Sequence, residues 1–221
     1  MYNISMNIFI HIPKTGGTTF ENLLEKNSKK FFRWPLQNGN DPDGGYDIQE
    51  WVTGHMVYDN TFIRKYYDKC ERRWFTFLRE PLTRTISYFH HTDVPMGITE
   101  WLLDQVKKTN WWNIQNCMTR FLGCADRKIT PNRAHLGVAK LRLSKYIDFG
   151  FTEKYDESIQ RWVNKYPDLN LEIKYDKKNV GEYDKNIQVP NDILDKLCIV
   201  NNLDIELYNY AKELWNERYK T

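Results

Sequence analysis

At 221 residues the chain is long enough for a single domain with a sizeable core, taken as residues 1–221, and its 15% aromatic and 28% charged residues mark a folded protein rather than a disordered one. A formal net charge of +3 is below the basic excess of a duplex nucleic-acid binder, while leaving room for a local basic pocket that takes a small polyanion. No run reaches the roughly 18 apolar residues of a membrane span, and the N-terminus lacks the basic, apolar and small-residue regions of a signal peptide, so neither nucleic acid nor a membrane span is expected.

The most informative stretch comes first. Ile8–Ile12 reads as a buried strand, Pro13 and the paired glycines as a turn, and Phe20–Lys26 as the start of a helix with apolar residues at helical spacing. Strand, Gly-rich turn and helix N-terminus together make an anion site, because glycines let backbone N–H groups approach a phosphate and the helix start adds unpaired donors. Lys14 adds a mobile cation, and the hydroxyls of Thr18 and Thr19 either cap the helix or bond the same anion. The plainer alternative is a tight turn with a Thr N-cap.

Lys29–Trp34 is a candidate short strand and Asn38–Gly45 a loop that either borders a substrate cleft or is a solvated excursion. Trp51–Tyr58 reads as a strand ending near Gly54 and His55. A His at such a position, with an unperturbed pKa of about 6.5, can take a hydroxyl proton at neutral pH, although a lone His is more often structural. His11 lies within the first strand, His90 and His91 end a helix and His135 sits in a helical stretch, which makes them weaker candidates. Trp74–Leu78 is a buried strand followed by a helix from Pro81, with Leu82, Ile86 and Phe89 on one apolar face. Arg79 then falls at the carboxyl end of a strand, where open α/β sheets bind ligands, and Ser87 lies two helical turns on. The alternative pairs Arg79 with Glu80 or a surface acid and leaves Ser87 on the helix surface.

Further helices are expected over Ile98–Val106, Trp112–Leu122 and Pro131–Ser144, the last rich in Arg and Lys as a solvated face or a border for a polyanion. A strand at Tyr146–Phe151, a helix over Glu153–Val163, a strand at Leu171–Tyr175 and two amphipathic helices over Asp192–Asn201 and Asp204–Tyr219 complete the reading. Alternating helices and apolar strands imply a parallel sheet covered on both faces. Cys70, Cys117, Cys124 and Cys198 form no C-x-x-C pair, which argues against zinc; Cys117 and Cys124 are near enough in sequence to bridge, with free thiols in a reducing compartment the default.

The loop Pro13-Lys14-Thr15-Gly16-Gly17-Thr18-Thr19 is not the common nucleotide triphosphate loop G-x-x-x-x-G-K-[ST], because Lys14 precedes both glycines. It resembles the 5′-phosphosulfate loop of sulfotransferases that use 3′-phosphoadenosine-5′-phosphosulfate (PAPS), and is most similar to the carbohydrate branch that includes the heparan, chondroitin and dermatan sulfotransferases. The Arg79…Ser87 arrangement looks like that family's 3′-phosphate site, Gly54-His55 like the Gly-His of its 2-O-sulfotransferases, and Asn113–Gly123, Phe149–Glu153 and Asp204–Tyr208 resemble further segments. The resemblance implies a P-loop-like three-layer α/β fold and sulfuryl transfer from PAPS to a hydroxyl of a carbohydrate, releasing 3′,5′-adenosine bisphosphate without a metal. It implies His55 as base and Lys14 as the group that stabilises the leaving phosphate. Lys14, Thr15, Gly16, Gly17, Thr18 and Thr19 would bind the 5′-phosphosulfate, Arg79 and Ser87 the 3′-phosphate, and Lys178 would close over the nucleotide. Arg120 is a candidate for cofactor or substrate contact, or a solvated helix residue. Golgi members carry a membrane anchor, and Met1 directly before the first strand favours a soluble, cytoplasmic relative. A P-loop kinase and a non-catalytic module that binds the nucleotide or a sulfated glycan are the competing readings.

Overall fold

The computed structural model describes residues 5–34, 50–67, 71–92, 94–107, 113–172 and 189–219. Its frame is a parallel sheet built from Ser5–Ile10 (β1), Phe31–Trp34 (β2), Trp51–Gly54 (β3), Glu71–Leu78 (β4) and Ile147–Phe151 (β5), in the order β2-β3-β1-β4-β5. Every pairing is parallel, with Ile10 opposite Gly54 on one side and Thr76 on the other. Parallel neighbours need crossovers: Gly17–Asn27 (α1) lies between β1 and β2, Thr61–Tyr67 (α2) between β3 and β4, and Pro81–Phe89 (α3), Ile98–Lys107 (α4), Cys117–Gly123 (α5) and Arg133–Lys145 (α6) between β4 and β5, while Tyr155–Lys165 (α7), Asn191–Val200 (α8) and Asn202–Arg218 (α9) follow β5.

Because side chains alternate along a strand, the sheet feeds two cores. Met6, Ile8 and Ile10 of β1, Val52 of β3 and Trp74 and Leu78 of β4 face Met118, Phe121, Leu143, Leu207 and Trp215 of α5, α6 and α9. Phe9, Trp51, Phe75 and Phe77 face Phe20, Leu23 and Leu24 of α1 and Ile159 and Trp162 of α7. Helices on both faces give the three-layer α/β architecture that the sequence implies. A third cluster joins Trp101 and Leu102 of α4 to Ile193 and Leu197 of α8, with Leu82 and Phe89 of α3 packed against it.

Two helix starts cap one another across the chain. The Asn116 side-chain oxygen accepts from the backbone N–H groups of Leu203 (2.9 Å) and Asp204 (3.1 Å), opening α9. The fully buried Asp204 carboxylate accepts from Met118 (2.8 Å) and Thr119 (2.7 Å), opening α5. This exchange corrects one boundary. The helix expected from Trp112 begins only at Cys117, because Asn116 takes a left-handed conformation (φ 48°) to serve as the cap.

Leu171 and Glu172 belong to no strand, and the remainder of that expected strand lies outside the described residues, as does Lys178. Cys117 and Cys124 are both buried free thiols rather than a bridge. No described helix is long and apolar enough to cross a membrane.

Candidate active site

The chain runs β1 to β2 on one side of the sheet and β4 to β5 on the other, so strand order reverses between β1 and β4. That is the switch point where open α/β sheets leave a crevice beyond their carboxyl ends. The 11–16 loop hangs over it. Lys14 and Gly16 both take left-handed backbone (φ 67° and 87°), Gly at no steric cost and Lys14 as the strained non-Gly residue. Gly16 is the N-cap of α1 and has no side chain to cap with, so the first N–H groups of α1 meet no side-chain cap, which is the usual arrangement of an anion site. The Thr N-cap alternative is therefore not the one adopted.

Side chains below the loop hold this shape. The fully buried Thr15 hydroxyl donates to the Ile12 carbonyl (2.9 Å), so Thr15 offers the crevice its backbone rather than its hydroxyl. The Thr152 hydroxyl lies within bonding distance of the carbonyls of Thr15 (2.7 Å) and Leu78 (3.1 Å), and Tyr155 reaches the Gly16 carbonyl (3.4 Å). Thr18 is exposed and Thr19 buried. Gly17 packs on the imidazole of His11; a Cβ there would lie 2.2 Å from His11 Cδ2. Gly17→Ala is therefore expected to cost about 1–3 kcal/mol as overpacking, read as a fall in denaturation midpoint at constant m-value.

Arg79 follows β4 and donates through Nη1 to the Lys14 carbonyl (3.2 Å), tying the two basic residues across the switch point. Burial and the Arg79 charge both lower the pKa of the Lys14 ammonium. The Glu80 carboxylate caps α3, accepting from the N–H groups of Leu82 (3.1 Å) and Thr83 (2.6 Å). The inward face of α3 is polar. Arg84, fully buried, donates to the carbonyls of Asn113 (2.8 Å), Ile114 (3.0 Å) and Pro13 (3.5 Å), and so braces the loop from behind. Ser87, 7% exposed, lies one turn beyond it. His91 follows four residues after Ser87, just past the end of α3, its pKa lowered first by the charge of Lys14 and then by burial.

His55 stands one residue past β3, on the same edge of the sheet. Its Nδ1 is 2.6 Å from the His11 carbonyl oxygen, which can only accept, so Nδ1 carries the hydrogen and Nε2 the lone pair. Burial, and next the charge of His11, lower its pKa from 6.5 to about 4. The residue is thus a neutral imidazole at pH 7. Around it lie His11, a weaker candidate in the sequence, and residues to which the sequence assigns no role. The His11 and His55 rings are 4.3 Å apart, and Glu21 bonds His11 (2.9 Å) and Thr53 (2.7 Å) while pairing with Arg33 (3.3 Å). Burial by itself would raise the Glu21 carboxyl; those partners bring it below its ordinary range.

Beyond Met56, the residue after His55, opens a cavity of about 470 Å³, walled by Trp34, Met56, Val57 and Phe62 and edged by Asp126, Arg127 and Lys128. The loop at this edge is held by Arg120, which is buried and donates to the carbonyls of Arg127 (3.1 Å), Ile129 and Gln115 (3.4 Å). Arg120 is therefore not a solvated helix residue; its Nη1 and Nη2 donors hold the backbone of the loop.

Fold and site together define an α/β protein with a Gly-rich, basic turn at its β1/β4 switch point and a neutral imidazole beside it. A model described as the sulfotransferase family matches residues 6–211, and the chain belongs to that family. Among solved structures it is similar to mouse sulfotransferase SULT7A1 complexed with PAP, at 12% identity and a TM-score of 0.43 over 89% of this chain and 63% of that one. This chain thus matches less than two thirds of that protein's length. No curated protein matches the sequence.

Proposed function

We propose that this protein transfers the sulfuryl group of PAPS to a hydroxyl, most plainly one on a carbohydrate. The observation that carries this reading is the convergence at the β1/β4 switch point of the Lys14 ammonium, the Arg79 guanidinium and an uncapped helix start, beside a neutral imidazole, in a chain of the sulfotransferase family. Two like charges brought together lower each other's stability, and a polyanion relieves this. Gly16, Gly17, Thr18 and Thr19, with the backbone of Thr15 and the ammonium of Lys14, would hold the 5′-phosphosulfate; Arg79 and Ser87 would hold the 3′-phosphate, and Lys178 is proposed to join them. The cofactor supplies an activated sulfuryl group when bound.

The chain's own residues do the rest. His55 accepts the acceptor's hydroxyl proton at Nε2, its Nδ1 hydrogen being fixed on the His11 carbonyl. Lys14 meets the negative charge that develops on the departing oxygen, already held in place by a strained backbone. The cavity reached from His55 through its neighbour Met56 suits a sugar: Trp34 offers an aromatic face to the apolar side of a ring, and Asn60, Asp126, Arg127 and Lys128 offer polar groups to its hydroxyls.

Ligand stabilisation tests the nucleotide half of this reading. At 100 times its Kd, 3′,5′-adenosine bisphosphate should add about 2.7 kcal/mol, a rise of about 5–11 °C in Tm, where ATP and AMP add less. Arg79→Ala should weaken that binding by about 10–150-fold, the usual worth of a hydrogen bond to a charged group. A response to ATP alone would point instead to phosphoryl transfer, and stabilisation by the bisphosphate without transfer to any acceptor would point to a binding module.

A further inference from the structure

We propose that Glu21 and His11 form a buried positioning pair for His55, fixing its hydrogen on Nδ1 and keeping a second proton off Nε2; this rests on the reading of His55 as the group that takes the acceptor's proton. The first half of the task is done by backbone. The carbonyl that receives Nδ1–H belongs to His11, whose own N–H donates to the Gly54 carbonyl at 2.9 Å, so the chain segments bearing the two histidines are joined twice.

The second half is done by side chains. His11 is 7% exposed and Glu21 is 5% exposed, and Nδ1 of His11 lies 2.9 Å from Glu21 Oε1. The same carboxylate takes the Thr53 hydroxyl from β3 and the Arg33 guanidinium from β2, which leaves little freedom in its position. A buried ion pair adds little stability over apolar side chains of the same volume, so an acid at this helix position is not explained by folding. Its place is informative. The carboxylate meets Nδ1 of His11, and the His11 ring lies 4.3 Å from that of His55, tilted by 39°. A positive charge there opposes a second one on His55.

The charged groups facing His55 are His11 from the end of β1, Glu21 from α1 and Arg127 from the loop between α5 and α6. His11 and Arg127 act against protonation and Glu21 acts for it, from behind His11. Burial acts with the two cations, and the lowered pKa of His55 agrees with this balance. The same packing accounts for Gly17, since any Cβ at that position would push His11 off its partner.

The test follows the His55 imidazole in ligand-free protein by NMR titration, with His55→Gln to assign the resonance. The wild-type midpoint is expected below pH 5. In His11→Asn, which keeps a side-chain donor toward Glu21 and the backbone carbonyl but removes the ring, the midpoint should rise by about one pH unit or more toward 6.5. The acid limb of kcat/KM should move with it, so that the loss of transfer is concentrated below pH 6.5. A wild-type midpoint near 6.5 overturns the proposal, and so does an unmoved midpoint in His11→Asn with activity lost equally at every pH. Should that variant fail to fold, the wild-type midpoint decides alone. A low midpoint in a protein that transfers no sulfuryl group to any acceptor supports the pair and overturns only the assignment of His55 as base.

Discussion

Replacement of His55 by alanine is expected to lower kcat/KM for sulfuryl transfer by about 10²–10⁴-fold, the usual share of a positioned proton acceptor, while stabilisation by 3′,5′-adenosine bisphosphate persists. The split follows from the geometry: His55 is held by the His11 carbonyl, whereas the groups assigned to the nucleotide hang from Lys14, Arg79 and the start of α1. The pH dependence has a definite sign. A base whose pKa is lowered to about 4 keeps its lone pair down to that pH, so the acid limb of kcat/KM should lie well below the 6.5 of an ordinary imidazole. Stability moves in the same direction. Because the unfolded chain takes up the His55 proton near 6.5 and the folded protein only near 4, this contribution to stability is complete above 6.5 and is lost as pH falls through that window. Full turnover in His55→Ala would remove the base assignment.

The largest effect on stability is expected at Asp204. Alanine there strips the α5 start of both acceptors, at Met118 and Thr119, and removes an anion whose charge is felt by the buried Arg84. Hydrogen bonds to a charged group contribute about 1.5–3 kcal/mol each, and removing one member of a buried charged network costs about 3–5 kcal/mol. Asp204→Ala should therefore lower Tm by about 6–20 °C for a domain of this size. Burial raises the pKa of the Asp204 carboxyl, so Asp204→Asn, which keeps an acceptor oxygen without the charge, should fall between wild type and alanine. A loss below about 0.5 kcal/mol on chemical denaturation, the range of an ordinary surface change, would show that the two caps are not coupled.

Much of the frame can be read in the sequence because it is local. A run such as Ile8–Ile12, a Pro-Lys-Thr-Gly-Gly turn and a helical repeat lie within a few residues of each other, and the helix from Pro81 carries its own N-terminal signal. The site residues placed at strand ends, Lys14, His55 and Arg79, sit on one edge of the sheet for the same reason. Alternation of strands and helices predicts parallel pairing but not the order β2-β3-β1-β4-β5, which depends on contacts between distant segments. Buried polar residues are the least legible from their surroundings in sequence. Glu21 looks like the exposed side of α1 until His11, Thr53 and Arg33 are brought around it. Arg120 looks like a surface cation until three backbone carbonyls close on its guanidinium. No periodicity reports such partners, because each comes from a different part of the chain.

The reciprocal caps also set an order of events during synthesis. Asp204 leaves the ribosome 86 residues after Met118, whose N–H it receives, which at cellular elongation rates is a delay of about 4–17 s. Throughout that interval α5 has no acceptor at its start, and the sheet face that α5 shares with α9 is covered from one side only. Until α9 arrives, Met118, Phe121 and Leu122 of α5 lack the apolar partners that Leu207 and Trp215 supply in the folded core.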